Sequence, residues 1–302
     1  MSRSQTYFSR LQATLPGVVD TLRKRGIKES RFAFGGEGPV LDRKPRVPTD
    51  ARSEFLANRA MGDWAERELG KALTRTLVDW KVVQYGNTDR IEAGHPDFKG
   101  HYLNGLEETR RHGKRPDLLL FPRTDDVGDD ISKFKHTEAS PLVRRAICAV
   151  EVRSSKYEAL RYMQVKKAQK EEGKRSGRHA PSFTVKVEDL VIVYRWIEAY
   201  KMPQTYCQVF FDSVFAINFL DIFSYVCSAK QLSIEKPEKS QEKATIMIPI
   251  TSGTQIGRAS GMPEFTAEHR VTKLGRHDAY VVPKGGGFEL NAGLTKKVLL
   301  AE

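Results

Sequence analysis

Two short apolar runs each carry one acid. Arg115-Pro116-Asp117-Leu118-Leu119-Leu120-Phe121 is closed by Pro122, and Ala146-Ile147-Cys148-Ala149-Val150-Glu151-Val152-Arg153 follows 25 residues further on. Runs of this length and composition read as buried strands. An ionised carboxylate in such a run is costly to bury unless a cation or a hydrogen-bond donor meets it. Asp117 and Glu151 therefore need a purpose. Glu151 and Arg153 are two residues apart, so on a strand they share a face, roughly 7 Å apart. If the Asp117 strand lies beside the Glu151 strand, two carboxylates converge at a sheet end with a cation next to them. That is the donor set of a hard divalent metal, and Mg²⁺ takes one or two carboxylates, waters and substrate phosphate.

The rest of the chain reads as alternating helices and strands. The first 30 residues are helical in period, with Pro16-Gly17 expected to split them into two short pieces. Residues 33–50 form an expected extended arm. Thr49-Asp50 precedes a helix to about Val78, whose apolar face runs through Phe55, Leu56, Met61, Trp64, Leu69 and Leu73. Residues 86–115 read as loop-rich and 123–141 as a polar surface insertion. Ser154 or Ser155 is placed to cap a helix from about Lys156 to Glu172. Asp189–Trp196, Tyr206–Phe211 and Phe215–Phe219 read as three more strands, and Asp221–Tyr225 opens a helix. Beyond a charged linker at 230–243, short β-like pieces (245–250, 279–282) alternate with glycine-rich turns. The organisation expected is N-terminal helices and an extended arm at 1–50, a catalytic core at 51–228 and a strand-and-loop region at 229–302, a candidate recognition element.

Charge narrows the partner. The 302 residues carry 50 Lys+Arg against 38 Asp+Glu, a net +12. The excess is shared, with 27 basic and 21 acidic residues in 1–150 and 23 and 17 in the remainder. A folded basic surface of this kind suits a polyanion, most commonly nucleic acid. The densest stretch holds Arg161, Lys166, Lys167, Lys170, Lys174, Arg175 and Arg178, which reads as phosphate contacts or as a solvated helix face. Arg258, Arg270, Lys273 and Arg276 stand in a second candidate segment, 251–278, where Arg and Lys can reach base edges or simply face solvent. The three cysteines form no CxxC pair, which argues against a disulfide scaffold and for a reducing cytoplasm. No window is long and apolar enough for a membrane span, and the opening MSRSQTYFSRLQ does not read as a secretory signal.

Pro116-Asp117 followed by Glu151-Val152-Arg153 resembles the PD-(D/E)xK nuclease motif. RPDLLLF, AVEVRSSKYEAL and YCQVFFDSVFAINFLDIF, in that order over about residues 115–225, resemble the AccI-type group of type II restriction endonucleases, with support from the GDWAE helix. The resemblance implies an α/β fold: a central mixed β-sheet flanked by helices, a restriction-endonuclease-like core, with a strand- and loop-rich C-terminal appendage. It implies a Mg²⁺-dependent site-specific deoxyribonuclease acting on double-stranded DNA and leaving 5′-phosphates. It also implies a homodimer, and a cognate DNA methyltransferase acting on the same site. Asp117 and Glu151 would be catalytic and hold the metal, with Glu66 as a third ligand on the helix. Arg153 stands where the superfamily has lysine, and an arginine stays protonated and cannot act as a general base. Lys156 is the substitute candidate.

Other residues have simpler readings. Pro96-Asp97 lacks a following apolar run and reads as a turn. His95 and His101 read as loop histidines, Asp212 as a turn former and Gln208 as a buried amide. Gly285-Gly286-Gly287 lacks the ending of a phosphate loop. Two further readings stay open: a structure-specific repair nuclease of the same superfamily, and a non-catalytic DNA-binding module that keeps the fold.

Overall fold

The two acid-bearing runs do become neighbouring strands. In the computed structural model, which describes residues 3–35, 53–86, 98–173, 180–229, 232–235, 244–271 and 275–302, Leu118–Pro122 (β2) pairs antiparallel with Cys148–Ser154 (β3). On one side of them lies Trp80–Gln84 (β1), antiparallel to β2. On the other lies Gln204–Val209 (β5), parallel to β3, then Ser213–Asn218 (β6) in a hairpin. Thr254–Gly261 (β9) and Gly287–Leu290 (β12) complete a seven-stranded mixed sheet in the order β1-β2-β3-β5-β6-β9-β12. The C-terminal region is strand-rich as expected. Two of its strands are built into the central sheet, because β9 pairs with β6 along the edge that the hairpin would otherwise leave open.

Helices cover both faces, which explains why β5 and β6 are buried at every position. Alternate residues serve opposite cores. Leu119, Phe121 and Ala149 pack with Arg3–Lys24 (α1), Val187–Tyr200 (α6) and Phe219–Ser228 (α7), while Leu118, Leu120, Cys148 and Val150 pack against Ser53–Thr76 (α2) and Ala292–Leu299 (α8). Each large buried side chain contributes about 1.5–3 kcal/mol, so the two cores hold the sheet from both sides. Phe98–His112 (α3) packs on α6, His136–Val143 (α4) precedes β3 and Ala159–Glu171 (α5) follows it. Ser182–Lys186 (β4), Ser233–Glu235 (β7) and Thr245–Pro249 (β8) make a second sheet in the order β4-β8-β7. Glu264–Val271 (β10) and His277–Lys284 (β11) form a separate two-stranded ribbon against α2.

Several expectations are corrected. Pro16-Gly17 does not split α1, which is continuous. Gly17 is where α7 crosses, and a Cβ there would lie 2.9 Å from the Cys227 Sγ. Residues 98–112 form helix α3 within the stretch read as loop. The 123–141 insertion contributes Val127, Ile131 and Ala139 to the core and starts α4. Asp189–Trp196 is no strand but the middle of α6, where burial on nearly every side erases the helical period. Neither Ser154 nor Ser155 caps α5. Asp212, in the β5–β6 turn, does so from a distance. Its Oδ2 accepts from the N–H of Leu160 (2.8 Å) and of Arg161 (3.1 Å). Asp212→Ala should therefore cost about 1–2 kcal/mol, the usual loss of a capping acceptor. An unchanged melting temperature would refute the cap. Thr49-Asp50, nearly all of the 33–50 arm, His95, Pro96-Asp97, Lys174, Arg175, Lys273 and most of the 230–243 linker lie outside the described residues.

Candidate active site

The β2–β3 register fixes the acids. Leu118 stands opposite Val150, so Asp117, one residue earlier, comes level with Glu151, one residue later. Three backbone bonds hold Asp117. Its Oδ2 accepts from the Val152 N–H at 2.6 Å, and its carbonyl accepts from the N–H groups of Tyr85 (2.9 Å) and Gly86 (3.0 Å) just past β1. Glycine is needed at 86, since a Cβ would lie 2.9 Å from the Asp117 Cα.

Glu151 is 1% exposed. Its Oε1 meets two cations, the Lys114 ammonium and the Arg153 guanidinium at 3.1 Å, while its Oε2 is buried without a partner. Arg153 also reaches Asp189 of α6 at 2.9 Å and lies over the Tyr206 ring, 5.6 Å from its centroid. Burial works against its charge, but Glu151 and then Asp189 outweigh it and raise its pKa further. Lys114 is placed by its neighbour. Gly113 adopts φ +85° where α3 ends against α6, and the Lys114 N–H donates to the Ile192 carbonyl at 2.9 Å. Arg115 is buried, paired with Glu108 at 2.6 Å and set over Tyr85. Glu66 comes in from α2, with its Oε2 3.5 Å from the Gln84 Nε2. The helix does not rely on Gly62 for this approach, because the space beside Gly62 is open.

Like charges make this centre electrostatically costly. Desolvation first, then Glu151, raises the Asp117 carboxyl well above its ordinary range, against the opposing pull of Lys114 and the Val152 N–H. Glu66 is also raised, by desolvation first, with Asp63 and Glu151 adding to it and Gln84 opposing. A carboxyl raised in the fold contributes stability at low pH that is lost as pH rises through its folded pKa. Asp117→Asn removes that loss. In a chelator, the variant should be more stable than the wild type at alkaline pH, with the gap closing as the pH falls towards the ordinary carboxylate range. Thermal melts across that range check this, and parallel pH slopes would refute it.

Among the described residues, no three His, Cys, Asp or Glu side chains are set to hold a metal by themselves. The donors still suit a cation that keeps most of its waters, because one buried carboxylate oxygen lacks a partner and a second acid is pushed against it. Gln208 excepted, the other described residues singled out from sequence lie on other elements. Lys156 is exposed in the β3–α5 connection. Lys167 and Lys170 are exposed on α5, and Lys166 lies over the Tyr162 ring. Arg258 is exposed on β9, while Arg270 and Arg276 bracket the buried Asp278 at 3.8 and 3.1 Å. Gln208 is buried on β5 opposite Arg153. Sequence reasoning passes over Lys114, Gln84, Asp189 and Tyr206. Only Lys114, three residues before Asp117, offered a local hint.

The mixed sheet thus carries Asp117, Glu151 and Arg153 on or beside two adjoining strands. The family model described as AccI restriction endonuclease matches residues 40–175 and 159–301. The protein is a site-specific deoxyribonuclease, a type II restriction endonuclease acting on double-stranded DNA. It belongs to the AccI restriction endonuclease family. No curated protein and no solved structure matches it significantly. Among the described residues, no helix is long and apolar enough to cross a membrane.

Proposed function

We propose that the enzyme hydrolyses DNA phosphodiesters with Mg²⁺ held at Asp117 and Glu151, with Glu66 as a further ligand from α2, and leaves 5′-phosphates. The observation that carries this is the buried, unpartnered Oε2 of Glu151 beside Asp117. When bound, Mg²⁺ supplies a Lewis acid for the phosphate and a lowered pKa for a water. The Val152 N–H holds one Asp117 oxygen, so the carboxylate is aimed before substrate arrives. Arg153, held between Glu151 and Asp189, supplies fixed positive charge for the phosphate as negative charge develops on it. Lys156 is the nearest cation along the chain that could supplement it. Lys166, Lys167, Lys170, Lys174 and Arg175 take backbone phosphates, and Arg258, Arg270, Lys273 and Arg276 bind DNA from the 251–278 segment.

Residues 51–228, joined by β9, β12 and α8, act as the cutting core, and the remainder of 229–302 supplies base readout. The β10–β11 ribbon favours that division, since a two-stranded ribbon fits the major groove. The enzyme works as a homodimer on a palindromic site, in a cytoplasm that keeps Cys148, Cys207 and Cys227 as thiols. A methyltransferase of the same specificity protects the host site.

The experiment is a digest of long duplex DNA of known sequence with Mg²⁺, followed by end sequencing. Discrete fragments with ligatable 5′-phosphate ends are expected. A smear, cutting confined to branched DNA, or binding without cutting would each overturn the reading.

A further inference from the structure

The two cations on Glu151 are not equivalent. Arg153 is anchored elsewhere, by Asp189 and by the face of Tyr206. Lys114 is anchored through its backbone alone. Gly113 and the bond to the Ile192 carbonyl place its Cα, and a flexible stem carries the ammonium to Glu151. Its side chain is 29% exposed, against 1% for Glu151. The ammonium therefore sits at the mouth of a buried carboxylate, with solvent on its outer side. Arg153 is as exposed, at 30%, but a compact ammonium on four rotatable bonds can leave without disturbing its neighbours, which a guanidinium also paired with Asp189 and set over Tyr206 cannot do.

We propose that Lys114 is the built-in counter-ion of the metal-free acidic centre: it occupies Glu151 until a divalent cation arrives, and then turns to the scissile phosphate. This rests on the reading that Asp117 and Glu151 take a divalent cation. The buried Glu151 carboxylate needs positive charge beside it whether or not a metal is bound. An ammonium and a metal ion competing for one carboxylate satisfy that need in turn. The displaced ammonium then stands three residues from Asp117, where an anionic substrate brings its own charge. It would occupy the functional place of the lysine that the strand lacks at 153, from a different part of the chain. Lys114 is thus a positioning and charge-supplying residue.

Competition has an outcome that a merely structural lysine does not share. Removing Lys114 should tighten metal binding while slowing the reaction. The test uses full-length wild type, Lys114→Met, Lys114→Gln and Glu151→Ala. Mn²⁺ binding is read by electron paramagnetic resonance without DNA, and single-turnover cleavage is measured at saturating Mg²⁺. Both neutral variants should bind Mn²⁺ roughly tenfold more tightly than wild type, and cleave about 10²-fold more slowly even at saturation. The Gln variant keeps the measurement open should the Met variant misfold. If Glu151→Ala loses Mn²⁺ but neither Lys114 variant gains affinity, the counter-ion role is overturned and the metal site stands. If Glu151→Ala binds Mn²⁺ as wild type does, the metal reading falls and this inference falls with it.

Discussion

Replacing Glu151 by alanine is expected to slow duplex cleavage by about 10³-fold or more, with little change in melting temperature. The loss follows from charge. Among the described residues, Glu151 brings a buried carboxylate oxygen that has no partner, and without Glu151 the Lys114 ammonium beside Asp117 loses its ion-pair partner. On the proposed metal role, a cation is then no longer recruited, and the several kcal/mol that a bound metal would contribute to the barrier are lost, at about 1.4 kcal/mol per factor of ten. The fold should survive, because Arg153 keeps Asp189 at 2.9 Å and the partly exposed Lys114 can turn to water. Single-turnover cleavage and a thermal melt on the same preparation check both halves. Undiminished cleavage would remove Glu151 from the site, and a collapsed fold would show that its role is structural.

Gly113→Ala is expected to be the most damaging small change to the fold. The residue sits at φ +85°, where a side chain is strained. The larger problem is space. A Cβ would lie 2.4 Å from the Trp196 nitrogen and 2.5 Å from the Ile192 oxygen, both backbone atoms of α6. Neither can swing aside as a side chain would, so α3 must leave α6. That movement breaks the Lys114-to-Ile192 bond and carries Lys114 through Asp117 with it. A cost above about 3 kcal/mol is in line with strain combined with a backbone clash. It should appear as a fall in melting temperature of roughly 6 °C or more, with cleavage lost even where the protein remains folded. A wild-type melting curve would show that α3 and α6 are not packed as described.

The acids were legible in the sequence because apolar runs make an embedded carboxylate conspicuous. Asp117 and Glu151 could be named, and their strands bounded, before any pairing was known. The helix Ser53–Thr76 was also legible, since one face of it is solvated and its period survives. Where burial is complete, periodicity disappears. Val187–Tyr200 has apolar residues on nearly every side, so its middle, Asp189–Trp196, reads as a strand, and Asp189 is not seen as the partner of Arg153. The helix at 98–112 failed for the opposite reason. Gly100 and Gly105 and a polar face hid it, and with it the turn that delivers Lys114.

Sequence alone determined that two carboxylates stand in apolar runs, the short motif around them and a basic composition suited to a polyanion. The tertiary structure decided which cations answer those acids. Local sequence can show that a buried charge requires a partner, because that cost belongs to the residue itself. It cannot show the partner's address, because the partner is brought by sheet order and helix packing. Lys114 arrives 37 positions before Glu151, from the end of a helix held by α6, while Asp189 arrives 36 positions after Arg153, from that same helix.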